Sequence, residues 1–128
     1  MTKEKLFELM NENPVMHLAT VDENGFPRVR GILLFKACEE GIIFHTGTFK
    51  DLYKQLISNP NSEVCFQCKG IQIRVCGKFE LDESDELFEE IYNHPSREFI
   101  KKWGKSKEEV KGFIKIFKMK HGKACTWS

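Results

Sequence analysis

The chain has 128 residues, the size of one domain with one core. Hydrophobic residues make up 41% and charged residues 30%, which excludes an intrinsically disordered chain. The 20 Lys and Arg against 19 Asp and Glu give a formal net charge of +1, so no overall field draws the protein to nucleic acid or an anionic membrane, and any anion must be held locally.

From the N-terminus, KEKLFELMNEN places Leu6, Phe7, Leu9 and Met10 at helical spacing. Asn13 before Pro14 ends that helix, because the residue before proline avoids the α region. VMHLATV and PRVRGILLF, joined by Asp22-Glu23-Asn24-Gly25, read as a β-hairpin. A turn at Glu39-Glu40-Gly41 leads into the strand IIFHT. Thr46-Gly47-Thr48 then opens the helix FKDLYKQLISNP, with Leu52, Tyr53, Leu56 and Ile57 as its apolar face and Pro60 forcing the exit.

SEVCFQC is a strand, Lys69-Gly70 a turn, and IQIRVCGKFEL a half-buried strand with Ile71, Ile73, Val75 and Phe79 on one face and Gln72, Arg74 and Lys78 on the other. SDELFEEIYNHP is a helix capped by Ser84, with Leu87, Phe88, Ile91 and Tyr92 as its stripe. SREFIKKWG predicts a helical piece that buries Phe99, Ile100 and Trp103, and Ser106 with Glu109 has capping-box spacing. GFIKIFKMKHGKACTWS reads as a last hairpin turning at His121-Gly122. Its alternating lysines mark a solvent-facing or edge strand rather than a nucleic-acid surface. No repeat or linker interrupts the order, so residues 1–128 form one unit. It is mainly β with helices (α+β), an antiparallel barrel of about six strands with helical decoration.

The N-terminal segment lacks the continuous apolar core of a signal peptide, and no later segment reaches membrane-spanning length, so a cytoplasmic protein without a membrane partner is expected. Five cysteines, an odd number, suit reduced thiols in a reducing compartment. The Cys65-x-x-Cys68 spacing lies in a strand pattern, where residues three apart point to opposite faces, so zinc or dithiol chemistry is disfavoured. His17, His45, His94 and His121 have no metal spacing, and no metal site is expected.

Arg28 and Arg30 are two apart on a strand and therefore project from one face, presenting two guanidinium groups to one place. Paired cations of this kind bind phosphate through charge-assisted hydrogen bonds, or else lie solvated with their stems over apolar surface. HTGTFKDLYKQL adds a glycine-containing turn, hydroxyls at Thr46 and Thr48, and Lys50 at the start of a helix, where free amides and the helix dipole favour an anion.

Four blocks, GFPRVRGILLF, GIIFHTGTFK, KQLISNPN and IQIRVCGK, occur in an order and spacing that resemble the pyridoxamine 5'-phosphate oxidase-like family of FMN-binding split barrels, over Val15 to about Leu81. The resemblance implies a six-stranded antiparallel split β-barrel and a homodimer holding FMN between subunits. Arg30 with Gly31, Ile32 and Leu33 matches the strand that passes along the flavin. His45 and Thr46 match the end of the next strand, and Gln72 matches a polar position reaching the flavin from the partner side. At the basic pair of the full-length oxidases this chain carries Asp51 and Leu52, so Lys50, together with Lys54 one turn on, is expected to replace that pair and take the phosphate with Thr46 and Thr48, while Arg28 belongs to the basic cluster of the cofactor site without a matched role. The arginine and histidine motifs of the oxidases' C-terminal extension do not follow Trp127-Ser128, so their pyridoxal substrate does not transfer. Short members resembling nitroimidazole-reductase-like and general-stress flavoproteins are the better match.

The expected function is flavin-mediated hydride or electron transfer between a small-molecule donor and acceptor, with FMN carrying the chemistry and no side chain singled out as acid or base. The alternative is a non-catalytic flavin or haem binder serving as an electron carrier or stress protein. Trp103 and Trp127 could stack near the flavin or fill core and interface.

Overall fold

The computed structural model describes residues 1–127; the side chain of Trp127 lies outside the described residues. In chain order the elements are α1 (Lys3–Glu12), β1 (Val15–Val21), β2 (Pro27–Leu33), β3 (Lys36–Cys38), β4 (Gly41–Gly47), α2 (Asp51–Ser58), β5 (Asn61–Cys68), β6 (Ile71–Lys78), β7 (Glu80–Leu81), α3 (Asp85–Tyr92), a 3-10 helix (Pro95–Trp103), α4 (Lys107–Phe113), β8 (Ile114–Met119) and β9 (Lys123–Trp127).

The strands form two antiparallel sheets, ordered β2-β1-β5-β6-β9 and β3-β4-β8-β7. This is the expected α+β class with an antiparallel barrel left open. Two runs that read as continuous strands are cut where the chain moves from one sheet to the other. PRVRGILLF leaves the first sheet at Leu34-Phe35 to start β3, and IQIRVCGKFEL breaks at Phe79 before β7. A third crossing corrects the expected last hairpin. β8 pairs with β4 and β7 in the second sheet, whereas β9 pairs with β6 in the first, so His121-Gly122 turns a corner between sheets. Gly122 allows that corner, because a Cβ there would lie 2.5 Å from Val75 Cγ1 and 2.9 Å from Met119 Sδ. The lysine-bearing strand β8 is therefore interior to its sheet, between β4 and the two-residue β7, rather than an edge.

All seven residues of β4 are buried, because it has a core on each face. Ile42 and Phe44 point into the barrel with Met16, Leu18, Val64 and Phe66. There the Phe44 ring packs edge-on to Phe79 at 4.9 Å and stacks with Phe117 at 5.7 Å. Ile43, next along the strand, belongs to a second core with Leu87, Phe88, Ile91, Ile100 and Val110 from the helices. This alternation is the period-2 consequence of a strand covered on both sides.

The helices follow their stripes with two corrections. Ile57 of α2 and Phe99 of the 3-10 helix are exposed. In the 3-10 segment the inward residues are Arg97 and Ile100, with Trp103 half-buried. That is the spacing of three residues per turn, whereas an α-helical period over the same residues turns Phe99 inward.

Two glycine substitutions should move stability in opposite directions. Gly41 sits at φ +129°, and a Cβ there would overlap the Met119 carbonyl oxygen, so Gly41→Ala is expected to destabilise by about 2 kcal/mol or more. Gly112 lies in α4, with nothing within 4 Å of the Cβ position, so Gly112→Ala is expected to stabilise by about 0.5–1 kcal/mol. Urea unfolding midpoints check both; a loss of stability in Gly112→Ala would contradict this account of α4.

Candidate functional site

The β1–β2 hairpin is closed by Asp22. One carboxylate oxygen accepts the backbone N–H groups of Asn24 and Phe26, both at 2.9 Å, and the other accepts Arg28 Nε at 2.8 Å. Hydrogen bonding from Phe26 in the first place, opposed by partial burial and aided by Arg28, holds this carboxyl below the usual range. Arg28 thus already has a counter-ion.

Arg30 is half-buried and differs in its partners. Its Nη1 donates to Thr20 Oγ1 at 2.8 Å and to the Leu18 carbonyl at 3.2 Å, and its Nη2 donates to Gln55 Oε1 at 2.6 Å. The Thr20 hydroxyl donates to the same Gln55 oxygen at 2.6 Å. Three elements, β1, β2 and α2, are tied together by this knot. Its acceptors are all neutral; burial lowers its pKa, and the Asp51 carboxylate offsets part of that effect.

Arg28 and Arg30 share one open groove of about 680 Å³ with Lys54 and Gln55 of α2, as their spacing on one strand face requires. Asp22, Glu23 and Asp51 also line it, so three carboxylates face three cations. Anion binding there depends on the individual geometry of Arg30 and Lys54 and not on a net field.

The second group of expected residues sits at the end of β4. Thr46 is buried, the Thr48 amide donates to the Phe113 carbonyl at 2.9 Å, and the Lys50 amide closes the turn onto the Gly47 carbonyl at 3.0 Å. Lys50 stands at the N-cap of α2, making no side-chain cap bond, with Asp51 in the first turn as the dipole prefers. The Lys50 side chain is exposed, its Nζ 5.7 Å from the Phe49 ring centre, and it does not line the groove that holds Arg30.

Along β2, Ile32 packs against the barrel core, while Gly31 and Leu33 face outward beside His17 and Val15 of β1. A Cβ on Gly31 would meet nothing within 4 Å, so the outer surface of β2 is open at backbone level. Gln72 is half-buried opposite Gln67 on the same sheet.

His45 turns to the other side of β4, into the helical core, and is 9% exposed. Its Nε2 accepts the Nε–H of Arg97 at 2.9 Å. The rest of that guanidinium donates to the Leu34 carbonyl at 3.0 Å and Ser96 Oγ at 2.8 Å, over the Phe35 ring. Arg97, Thr20 and Gln55 were not singled out in the sequence. The usable signal for Arg97 was its place three residues before Ile100, on the inward face of a 3-10 turn.

Cys65 and Cys68 lie on opposite faces of β5, half-buried and buried, and burial raises both thiols, which disfavours thiolate chemistry. Among the described residues no group of three or more His, Cys, Asp or Glu side chains could hold a metal, and no helix is long and apolar enough to cross a membrane.

The family model for pyridoxamine 5'-phosphate oxidase matches residues 2–127, and the chain belongs to that family. A pyridoxine/pyridoxamine 5'-phosphate oxidase of Burkholderia mallei (strain SAVP1) is 32% identical over 110 residues, covering 84% of this chain and 51% of that protein. The chain thus spans about half the length of this relative. Among solved structures, a NimC/NimA family protein from Clostridium acetobutylicum superposes with a TM-score of 0.79 at 24% identity, over 98% of this chain and 86% of that one. A pyridoxamine 5'-phosphate oxidase-related, FMN-binding protein from Nostoc punctiforme PCC 73102 gives a TM-score of 0.63 at 16% identity, over 98% and 96%. Both establish likeness of fold.

Burial in the first place, and the Arg97 charge in the second, push the pKa of His45 down to about 4. In the unfolded chain a histidine titrates near 6.5. Below that pH the unfolded chain takes up a proton that the folded one refuses. The contribution of neutral His45 to stability is therefore complete above about pH 6.5 and is lost as the pH falls toward about 4, by roughly 3 kcal/mol in total. His45→Gln should flatten this acid limb in urea unfolding; an unchanged limb would assign the acid sensitivity elsewhere.

Proposed function

We propose that this chain acts as one cytoplasmic domain that binds FMN and uses it as an oxidoreductase, transferring hydride or electrons between a small-molecule donor and acceptor. The observation that carries the reading is Arg30, a half-buried guanidinium whose hydrogen bonds all go to neutral acceptors, on the wall of an open groove. A cation held in this way is preorganised for a phosphate oxygen, since no carboxylate bonded to it has to be displaced.

The residues present fit that group. Lys54 and Arg28 flank Arg30 in the groove, and Gly31 leaves the β2 backbone open to a flat ring system along Gly31, Ile32 and Leu33. Lys50, Thr46 and Thr48 close the neighbouring end of β4, and their part in phosphate binding requires the anion to reach the start of α2. FMN when bound supplies the redox chemistry, and the chain's work is to bind it, orient it and limit its contact with water.

We further propose a homodimer with FMN at the subunit interface. The outer face of β1 and β2 exposes Val15 at 64% and Val29 at 70%, with Leu33 directly opposite Val15. Such an apolar patch on a sheet face suits a second copy, and Gln72, three strands from β2 on the same sheet, would approach the flavin from the partner copy. Five free thiols suit a reducing compartment.

Purified protein should be yellow, or take up added FMN. Arg30→Ala should weaken FMN binding about tenfold to a hundredfold, the effect of one charge-assisted hydrogen bond, as read by quenching of flavin fluorescence. Wild-type protein that takes up no FMN would overturn the proposal, and unchanged affinity in Arg30→Ala would move the phosphate elsewhere. Oxidation of NADH or NADPH with a quinone acceptor separates the enzyme from a non-catalytic carrier, which would bind FMN without turnover.

A further inference from the structure

The groove that holds Arg30 carries more acid than a site for a doubly charged anion calls for. Asp22, Glu23, Arg28 and Arg30 reach it from the β1–β2 hairpin, and Asp51 and Lys54 from α2. Asp22 and Arg28 are paired at 2.8 Å and cancel. That leaves the two cations Arg30 and Lys54 against the two carboxylates Glu23 and Asp51, so the remaining charges of the groove also cancel. Lys50, the neighbouring cation, does not line it.

Asp51 is the carboxylate whose charge acts on Arg30. It opens α2, three positions before Lys54, so the two share one face of the helix, next to the Gln55 that grips Arg30. Among the described residues neither the Asp51 carboxylate nor the Lys54 ammonium is held by a hydrogen bond or an ion pair. Both are exposed to whatever enters the groove.

A phosphate monoester loses its second proton near pH 6, so about nine-tenths of it is dianion at neutral pH. A dianion would bring two negative charges to a groove without net charge. It would also set an unprotonated oxygen beside the Asp51 carboxylate, acceptor against acceptor. A ligand that covers the groove displaces water and strengthens that repulsion. One proton on the phosphate removes it. The oxygen facing Asp51 then donates, and the other oxygens still accept from Arg30 and Lys54. Two cationic donors beside one anionic acceptor are the complement of a phosphate that keeps a single proton.

We propose that Asp51 makes this groove selective for the singly protonated, monoanionic form of a phosphate monoester. The dianion in solution takes one proton from the solvent as it binds, and that proton lies in a hydrogen bond from a phosphate oxygen to the Asp51 carboxylate. Resting on the FMN reading above, the ligand is FMN with a monoanionic phosphate, held more tightly in mild acid than in mild base.

The 31P resonance of FMN bound to the wild-type protein reads the proton directly. At about pH 7.5 it should stand at the position of the free monoanion and should not titrate near pH 6 as free FMN does. In Asp51→Asn it should move to the dianion position. Calorimetry in buffers of different ionisation enthalpy should show about one proton taken up per FMN at that pH in the wild type and almost none in Asp51→Asn. The wild-type dissociation constant should rise about tenfold or more from about pH 6 to about pH 8. Asp51→Asn should flatten that rise and bind FMN more tightly than the wild type at the upper pH. Riboflavin has no phosphate, and its binding should lack the slope, which separates the effect from any acid sensitivity of the fold. Glu23→Gln should leave slope and proton uptake in place.

A bound phosphate that resonates as the dianion in the wild type would overturn the proposal. So would proton uptake that survives Asp51→Asn, or that disappears in Glu23→Gln instead. FMN binding with an affinity independent of pH overturns this inference alone, whereas protein that takes up no FMN at either pH sinks the cofactor reading and this inference with it. The 31P position is read in the wild type, so it decides the matter even if a variant does not fold.

Discussion

The strand β4 is covered on both faces, and the rest of the molecule is arranged around that constraint. A strand with two buried faces must serve two cores, and here Ile42 and Phe44 serve the barrel while Ile43 serves the helical layer. The same alternation continues to its end, where it sends His45 toward Arg97 and leaves Thr46 on the barrel side. The next residues cannot extend the sheet and turn into α2, whose Gln55 returns to grip Arg30. Burial of one strand thus fixes two polar arrangements, one on each side of it.

These two arrangements share a physical feature. Arg30 and Arg97 are both guanidinium groups withdrawn from water, and the hydrogen bonds recorded for both go to neutral acceptors. Several other charges are paired in the ordinary way: Arg28 on Asp22, Lys36 on Glu90, Lys118 on Asp82. With a net charge near zero, a guanidinium without a bonded carboxylate stands out more than it would on a basic protein. It is a group able to meet an anion or to orient a neighbour without first losing a partner. Arg30 fits the first role and Arg97 the second.

Much of this was legible in the sequence, for reasons that particular residues make clear. The Asp22–Gly25 turn and the two-residue spacing of Arg28 and Arg30 are local, and periodicity alone put both arginines in one groove. The stripe of α3 was equally direct. Other features depend on contacts distant in sequence. Gln55 reads as an ordinary polar helix residue until α2 folds back on β1, and His121-Gly122 reads as a hairpin because a turn signal does not say which sheet the next strand joins. Arg97 was obscured by the choice of period, since a stripe of 99, 100 and 103 looks α-helical whereas 97, 100 and 103 is the 3-10 spacing that the kinked segment adopts.

The central claim is that Arg30 holds a phosphate in the groove between β2 and α2, and the sharpest test is calorimetric titration of the wild-type protein with FMN and, separately, with riboflavin. The two ligands share the isoalloxazine and differ in the phosphate. The account predicts that FMN binds at least tenfold more tightly, with the difference shrinking as salt is added. Equal affinity for the two would contradict it, because the flavin would then be held by its ring alone and the charge of Arg30 would have no part in binding.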